Sequence, residues 1–198
     1  EKFDKDSRNK PMHFISPDNN YKPQNFLKRE PALHASSSIK HEWTKERAIH
    51  GCDVTNYTTT HSAMQNCEEP PAKDIATGAN SNIEVAKKKI NYILYDRVPL
   101  CLDFEDFNSQ HSASSMKAVI CAYIDTWQDK MSNDQSLAAR WLIESIDNQT
   151  VHDNSGLKTV YKSQGTLLSG WRPTSFINSI LNQVYSNYVQ GTLKQEHI

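Results

Sequence analysis

The sequence predicts a mixed α+β fold, and three observations carry that prediction. Residues 98–104, VPLCLDF, alternate Leu100, Leu102 and Phe104 with Cys101 and Asp103, the period of two of a half-buried strand. Two later stretches, Met116, Val119, Ile120, Tyr123, Ile124 and Trp127, then Leu137, Ala138, Trp141 and Leu142, recur at the spacing of amphipathic helices. No regular βαβαβ alternation is present, which argues against a doubly wound sheet.

The elements follow in order. Residues 1–38 are polar and broken by Pro11, Pro17, Pro23 and Pro31, so an extended, loop-rich arm is expected. Residues 39–57 mix charge, aromatics and β-branched side chains, with a strand or hairpin expected over 41–50 and a short helix over 55–68. EEPPAKDIATGANSN is a loop punctuated by Pro70, Pro71 and Gly78. Residues 81–95 fit a helix carrying Lys87, Lys88 and Lys89. Pro99 stands near the start of the 98–104 strand, where a missing donor is tolerable. Ser112 or Ser114 can cap the next helix. Ser132 and Gln135 form a capping box for the one after it. NSGLKTVYKSQGTLL reads as a small β element with turns at Asn154–Gly156 and Gly165. Pro173 suits the first turn of a final helix whose apolar side is Phe176, Ile177, Ile180, Leu181 and Val184.

Bulk properties bound the function loosely. A chain of 198 residues suits one domain or part of a larger protein. With 22 basic and 23 acidic residues the net charge of -1 gives no global sign of nucleic-acid binding, although a local basic groove stays open. Mean hydropathy is -0.71 and hydrophobic content 37%, polar for an independent domain and more fitting for a slice of a larger one. Cys52, Cys67, Cys101 and Cys121 are irregularly spaced and lack a CxxC pair, which points to free thiols in a reducing compartment. No run approaches the roughly 18 apolar residues of a membrane span, and no signal peptide is visible. The chain opens on Glu1 rather than Met, as a processed or excised product would.

Three constellations carry chemistry. LDFEDFNSQHS crowds Asp103, Glu105 and Asp106 at the end of the expected strand. Carboxylates there can hold a hard divalent cation, with Asp103 the better placed and Asp106 just beyond the strand; a helix cap or solvated turn is the plainer alternative. In GTLLSGWRPTSFINSILN, Ser169 and Gly170 can offer backbone N–H groups to a phosphate, while Thr174 and Asn178 share one helical face and can meet a sugar hydroxyl. An ordinary capped helix would explain the same residues. In EWTKERAIHG, Lys45 and Arg47 would face one side of a strand and could hold a triphosphate, or simply line a solvated strand.

Together and in this order the three stretches resemble the RNA-directed RNA polymerases of totivirus-like, non-segmented double-stranded RNA viruses. LDFEDFNSQHS resembles palm motif A, GTLLSGWRPTSFINSILN motif B, and KERAIHGCD finger motif F. The resemblance runs from about Ile39 to Tyr188 and implies a fingers and palm portion of a right-hand polymerase: a small antiparallel sheet with packed helices. It implies finger elements over 39–97 and palm elements over 98–198. Asp103 would be the catalytic metal ligand, with Asp106 beside it, and Asn108 would sense the ribose 2′-hydroxyl. Ser169 and Gly170 would form the motif B loop, Thr174 and Asn178 would face the ribose, and Lys45 and Arg47 the phosphates. Glu105 would be a structural or solvated acid, and His111 has no assigned role. The cofactor implied is Mg2+ or Mn2+. The partners implied are an RNA template and nucleoside triphosphates, with capsid protein or the rest of the polymerase, and no membrane. The implied location is the cytoplasm or the viral particle.

Two departures stand out. Pro173 occupies a position where the family pattern leads one to expect Leu or Ala. No Gly-Asp-Asp, the motif C turn that supplies further metal-binding acids, occurs in the sequence. The isolated chain is therefore expected not to polymerise. An alternative is a non-catalytic polymerase remnant retained for RNA or protein binding. A hydrolase using Asp103 and His111 would leave motifs F and B unexplained.

Overall fold

The computed structural model describes residues 23–65, 67, 82–99, 101–154 and 158–196. The first 22 residues of the arm expected over 1–38, and most of the loop expected over 68–82, lie outside the described residues.

Among the described residues a four-stranded sheet runs in the order β2-β1-β3-β4. Strand β1 (Leu33–His41) and strand β2 (Glu46–Cys52) form an antiparallel hairpin. Strand β3 (Gln149–Asp153) lies parallel to β1, and β4 (Val160–Lys162) returns antiparallel to β3. The α+β class holds, with a sheet that is mixed rather than wholly antiparallel. Strand β1 also corrects the loop-rich arm: residues 33–38 are regular strand. Its alternation is present in the sequence, since Leu33, Ala35 and Ser37 point inward, but two of those three are small or polar and carry a weak hydrophobic signal. Leu33 stands opposite Gln149 and Ala35 opposite Val151, so the inward side chains of the parallel pair are neighbours.

Helix α1 (Val54–Ala63) follows β2 at once, and Asp53 makes the corner. Its carboxylate accepts from Asn56 N at 3.0 Å as an N-cap, from His34 N at 3.1 Å, and from Arg29 Nη1 at 2.7 Å. One acid thus ties strand, helix and preceding loop together. Helix α2 (Ile83–Ile93) is capped by Asn82, whose side chain accepts from Glu84 N, and none of its residues is buried.

Helix α3 (Ala113–Trp127) is capped by Ser112, which accepts from Ser115 N, and it buries Met116, Val119 and Ile120 as its spacing requires. Helix α4 (Asn133–Ser145) is capped by Ser132, which accepts from Gln135 N, and packs on α1. Helix α5 (Thr174–Glu196) closes the fold against α3. Pro173 provides the first helical acceptor, Ile177 N donating to its carbonyl at 2.9 Å, so it sits just outside the helix where its missing N–H costs nothing. One core, including Leu33, Met64, Met116, Ile120, Leu142 and Ile177, joins sheet and helices.

The expected strand over 98–104 is not formed. Residues 101–104 are irregular, Leu102 is 81% exposed and Phe104 42%, and no strand among the described residues pairs with them. Period-two alternation makes a strand only where a ladder partner takes up its backbone N–H and C=O groups. Asp103 therefore does not end a central strand.

Candidate functional site

The stretch after Asp103 turns sharply. Asp106 adopts the left-handed conformation, with φ 45°, and a 3-10 turn, Phe107–Gln110, follows. The Asp106 carbonyl accepts from Ser109 N at 3.1 Å and Ser109 Oγ at 2.9 Å, while Gln110 Nε2 donates to Glu105 O at 2.6 Å. Leu167 N donates to the Asn108 carbonyl at 3.0 Å, pinning this turn to the segment before α5. Gly165 makes that approach possible. Its φ is +105°, and a Cβ there would stand 3.3 Å from Ala113 N.

The turn brings Asn108 and His111 against α5. Asn178 Nδ2 donates to Asn108 Oδ1 at 2.9 Å, although the two residues are 70 apart in sequence. Asn178 Oδ1 lies 2.9 Å from His111 Nε2, and His111 Nδ1 lies 3.4 Å from the Tyr185 hydroxyl. The His111 ring is buried and edge-on to Phe107, with centroids 4.5 Å apart; Phe107 in turn stacks on Phe104 at 4.3 Å.

The Ser169–Gly170 turn sits on the edge of β2. Ser169 Oγ accepts from His50 N at 3.1 Å and lies 3.3 Å from Ala48 O, and Gly170 bridges to Gly51 as a parallel extension of the sheet. The stretch resembling motif F is thus hydrogen-bonded to the stretch resembling motif B. Burial holds the His50 imidazole below its ordinary value, which keeps it neutral beside the serine. The Thr174 hydroxyl lies 2.6 Å from Trp171 O and 2.9 Å from Leu168 O, so its proton closes the turn at the helix start. Trp171 anchors the loop below: its indole N–H donates to the buried Asn56 Oδ1 at 2.7 Å.

The charged residues are arranged differently from expectation. Lys45 lies in the hairpin turn, where its carbonyl accepts from Glu42 N at 2.9 Å, so strand alternation does not place it beside Arg47. Arg47 lies in β2 and pairs through Nε with Glu42 at 3.1 Å. Glu42 also pairs with Lys40 at 3.1 Å, and the hydrogen bond from Lys40, with the charge of Arg47, holds its carboxyl below the ordinary value. Asp103 and Asp106 are exposed, and Asp103 Oδ1 accepts from Phe104 N at 3.0 Å. Among the described residues no group of three or more metal-ligating side chains is assembled. No helix of the described residues is long and apolar enough to cross a membrane.

The sequence by itself gives His111 no role and does not mark Tyr185 or His50. Tyr185 follows Asn178 by seven residues on one helix, which puts both on one face, a usable signal. His50 gives none, because its partner lies 119 residues away.

A turn-borne asparagine is thus bonded to a helix-borne asparagine, and the Ser169–Gly170 turn is fixed to strand β2. The family model described as Viral RNA-directed RNA-polymerase matches residues 18–197. The chain belongs to that family. It is 40% identical over 166 residues to the Probable RNA-directed RNA polymerase of Saccharomyces cerevisiae virus L-BC, covering 83% of this chain and 11% of that protein. The like-named protein of Saccharomyces cerevisiae virus L-A is 39% identical over 165 residues, with the same coverage. That of Helminthosporium victoriae virus-190S is 29% identical over 159 residues, covering 79% of this chain and 18% of that protein. The chain thus spans about a ninth of the length of the two yeast-virus relatives. No solved structure matches significantly.

Proposed function

We propose that this segment is the nucleotide-handling part of a viral enzyme that copies RNA from an RNA template, using nucleoside triphosphates. The observation that carries the reading is the 2.9 Å bond from Asn178 to Asn108, which joins the stretches resembling motifs B and A. Asn108 and the Asn178 bonded to it read the ribose, with Thr174 one turn earlier on the same helix and its hydroxyl oxygen left to accept. Ser169 and Gly170, held against β2, shape the floor on which the nucleotide rests. Lys45 and Arg47 meet the triphosphate. Arg47 pairs with Glu42 at one edge, and its side chain is 55% exposed, so phosphate oxygens can reach the guanidinium.

Asp103 and Asp106 are the residues that would hold magnesium or manganese. The donor set fits in kind: both are hard carboxylate oxygens, and among the described residues no cation pairs with either. Held there, such an ion would supply Lewis-acid chemistry for the attacking 3′-oxygen and the leaving pyrophosphate. The set is incomplete for a pair of ions, and no Gly-Asp-Asp occurs in these 198 residues, so the segment alone does not polymerise. Its substrates are template RNA and nucleoside triphosphates. Its protein partners are the rest of the polymerase and capsid protein, in the cytoplasm or the viral particle.

The test is RNA-templated incorporation by the full-length polymerase carrying this segment, with Asp103→Asn beside the wild type. Loss of at least about a hundredfold in rate is expected, the scale of removing an electrostatic group from a transition state. Incorporation at the wild-type rate by Asp103→Asn would remove Asp103 from the chemistry.

A further inference from the structure

We propose that His111 is a positioning residue that fixes the amide of Asn178 in one orientation, so that Asn108 meets the nucleotide sugar as a hydrogen-bond donor. The inference rests on the sugar-reading role proposed above for Asn108 and Asn178.

A carboxamide fits its space almost equally well with oxygen and nitrogen exchanged. Two facing asparagines can therefore pair in either sense, and nothing in the pair itself selects one. His111 selects. With its proton on Nε2 it donates to Asn178 Oδ1 across 2.9 Å. Asn178 Nδ2 must then face Asn108, and it donates to Oδ1 there across 2.9 Å. The remaining ring nitrogen, Nδ1, is an acceptor in the neutral imidazole, and the Tyr185 hydroxyl stands 3.4 Å away to donate to it. All three bonds run the same way, from Tyr185 to His111 to Asn178 to Asn108. The side-chain hydrogens of Asn108 Nδ2 are what the relay leaves over.

Moving the imidazole proton to Nδ1 reverses every bond. Asn178 would donate to Nε2, Asn108 would donate to Asn178, and Asn108 would end the relay with an acceptor oxygen. The tautomer of one histidine thus decides whether the site offers the sugar a donor or an acceptor. The ring is held for that task. It is 1% exposed and edge-on to Phe107 at 4.5 Å. It also directly precedes the Ser112 cap of α3, so it moves only if a helix start moves with it. A donor at Asn108 suits the oxygen of a 2′-hydroxyl. A 2′-deoxy sugar leaves that donor unanswered, and a site built around such a bond discriminates against the analogue lacking the group.

Two measurements test the inference. The first is 15N NMR of the histidine side chains in the 198-residue chain at neutral pH. The expected result is His111 protonated on Nε2 and bare on Nδ1; a proton resident on Nδ1 overturns the direction of the relay and the inference with it. The second is the ratio of kcat/KM for ribo- over 2′-deoxynucleoside triphosphates in the full-length polymerase. His111→Phe keeps a ring against Phe107 but removes the donor, and the ratio should fall about tenfold, the scale of one lost hydrogen bond. His111→Gln keeps an N–H near the Nε2 position and should hold the ratio within about twofold. Should His111→Phe not fold, Tyr185→Phe leaves the imidazole in place and should lower the ratio about threefold. Asn108→Ala separates the two readings. If Asn108→Ala lowers the ratio while His111→Phe and Tyr185→Phe leave it unchanged, the positioning role is wrong and the sugar-reading site stands. If Asn108→Ala changes nothing, the sugar-reading site itself is wrong and the inference falls with it.

Discussion

A methyl group on Gly170 would stand 2.1 Å from the backbone carbonyl oxygen of His50. The loop after Leu168 lies so close to β2 that only hydrogen fits between the two backbones. Gly170→Ala must lift the loop from the strand, breaking its bridge to Gly51 and the Ser169–His50 bond, and should destabilise the chain by about 2–3 kcal/mol in urea unfolding. Gly51 supplies the comparison. A Cβ there meets its nearest atom, Ser36 O, at 3.9 Å, an ordinary contact. Gly51→Ala should therefore lie within about 0.5 kcal/mol of the wild type or be more stable.

The buried Asn56 should be worth more than its size suggests. Its Oδ1 accepts from Trp171 Nε1 at 2.7 Å and from Thr60 Oγ1 at 3.3 Å, with all three groups in the core. Asn56→Ala removes the acceptor and leaves a buried indole N–H unanswered, at a cost of about 2–3 kcal/mol. Trp171→Phe removes the same N–H. In the double variant the two losses should add to less than their sum, because the orphaned donor is gone. Strict additivity in chemical unfolding would show that the bond contributes nothing.

Stability should also depend on pH through His50. Burial lowers its folded-state value below the ordinary 6.5 of an exposed imidazole. The unfolded chain then binds the proton first as pH falls, so its contribution is complete above the unfolded value and is lost as pH falls through the folded one. Denaturant midpoints measured from pH 7.5 downward should drop more steeply for the wild type than for His50→Gln. Parallel curves for the two proteins would mean that His50 ionises alike in both states.

The helices were legible because their signals are local. Met116, Val119 and Ile120 face the core as their spacing requires, and Ser112 and Ser132 cap the helices they precede. The hairpin expected over 41–50 is there but longer, and strand β1 begins earlier, at Leu33, with Ala35 and Ser37 too weakly apolar to mark it. The stretch 98–104 shows the opposite failure. Its alternation is clear, yet a strand depends on a partner that no local pattern reveals, and Leu102 remains 81% exposed. The candidate site divides the same way. Thr174 and Asn178 were recognisable as one helical face, and their stretch by its resemblance to a polymerase motif. The Asn56–Trp171 bond joins residues 115 apart, and the Ser169–His50 bond residues 119 apart. Such partners are fixed by tertiary packing, and neither period nor spacing encodes them.

The central claim is that Asn108 on the turn and Asn178 on α5 act as one site on the nucleotide. A double-mutant cycle on kcat/KM for RNA-templated ribonucleotide incorporation by the full-length polymerase tests it most directly. Asn108→Ala and Asn178→Ala should each lower kcat/KM by about ten- to a hundredfold, and the double variant should be scarcely worse than the poorer single one, as for groups that work as a unit. Losses that multiply in the double variant would contradict it, because they would mean that the two asparagines act separately despite the 2.9 Å bond between them.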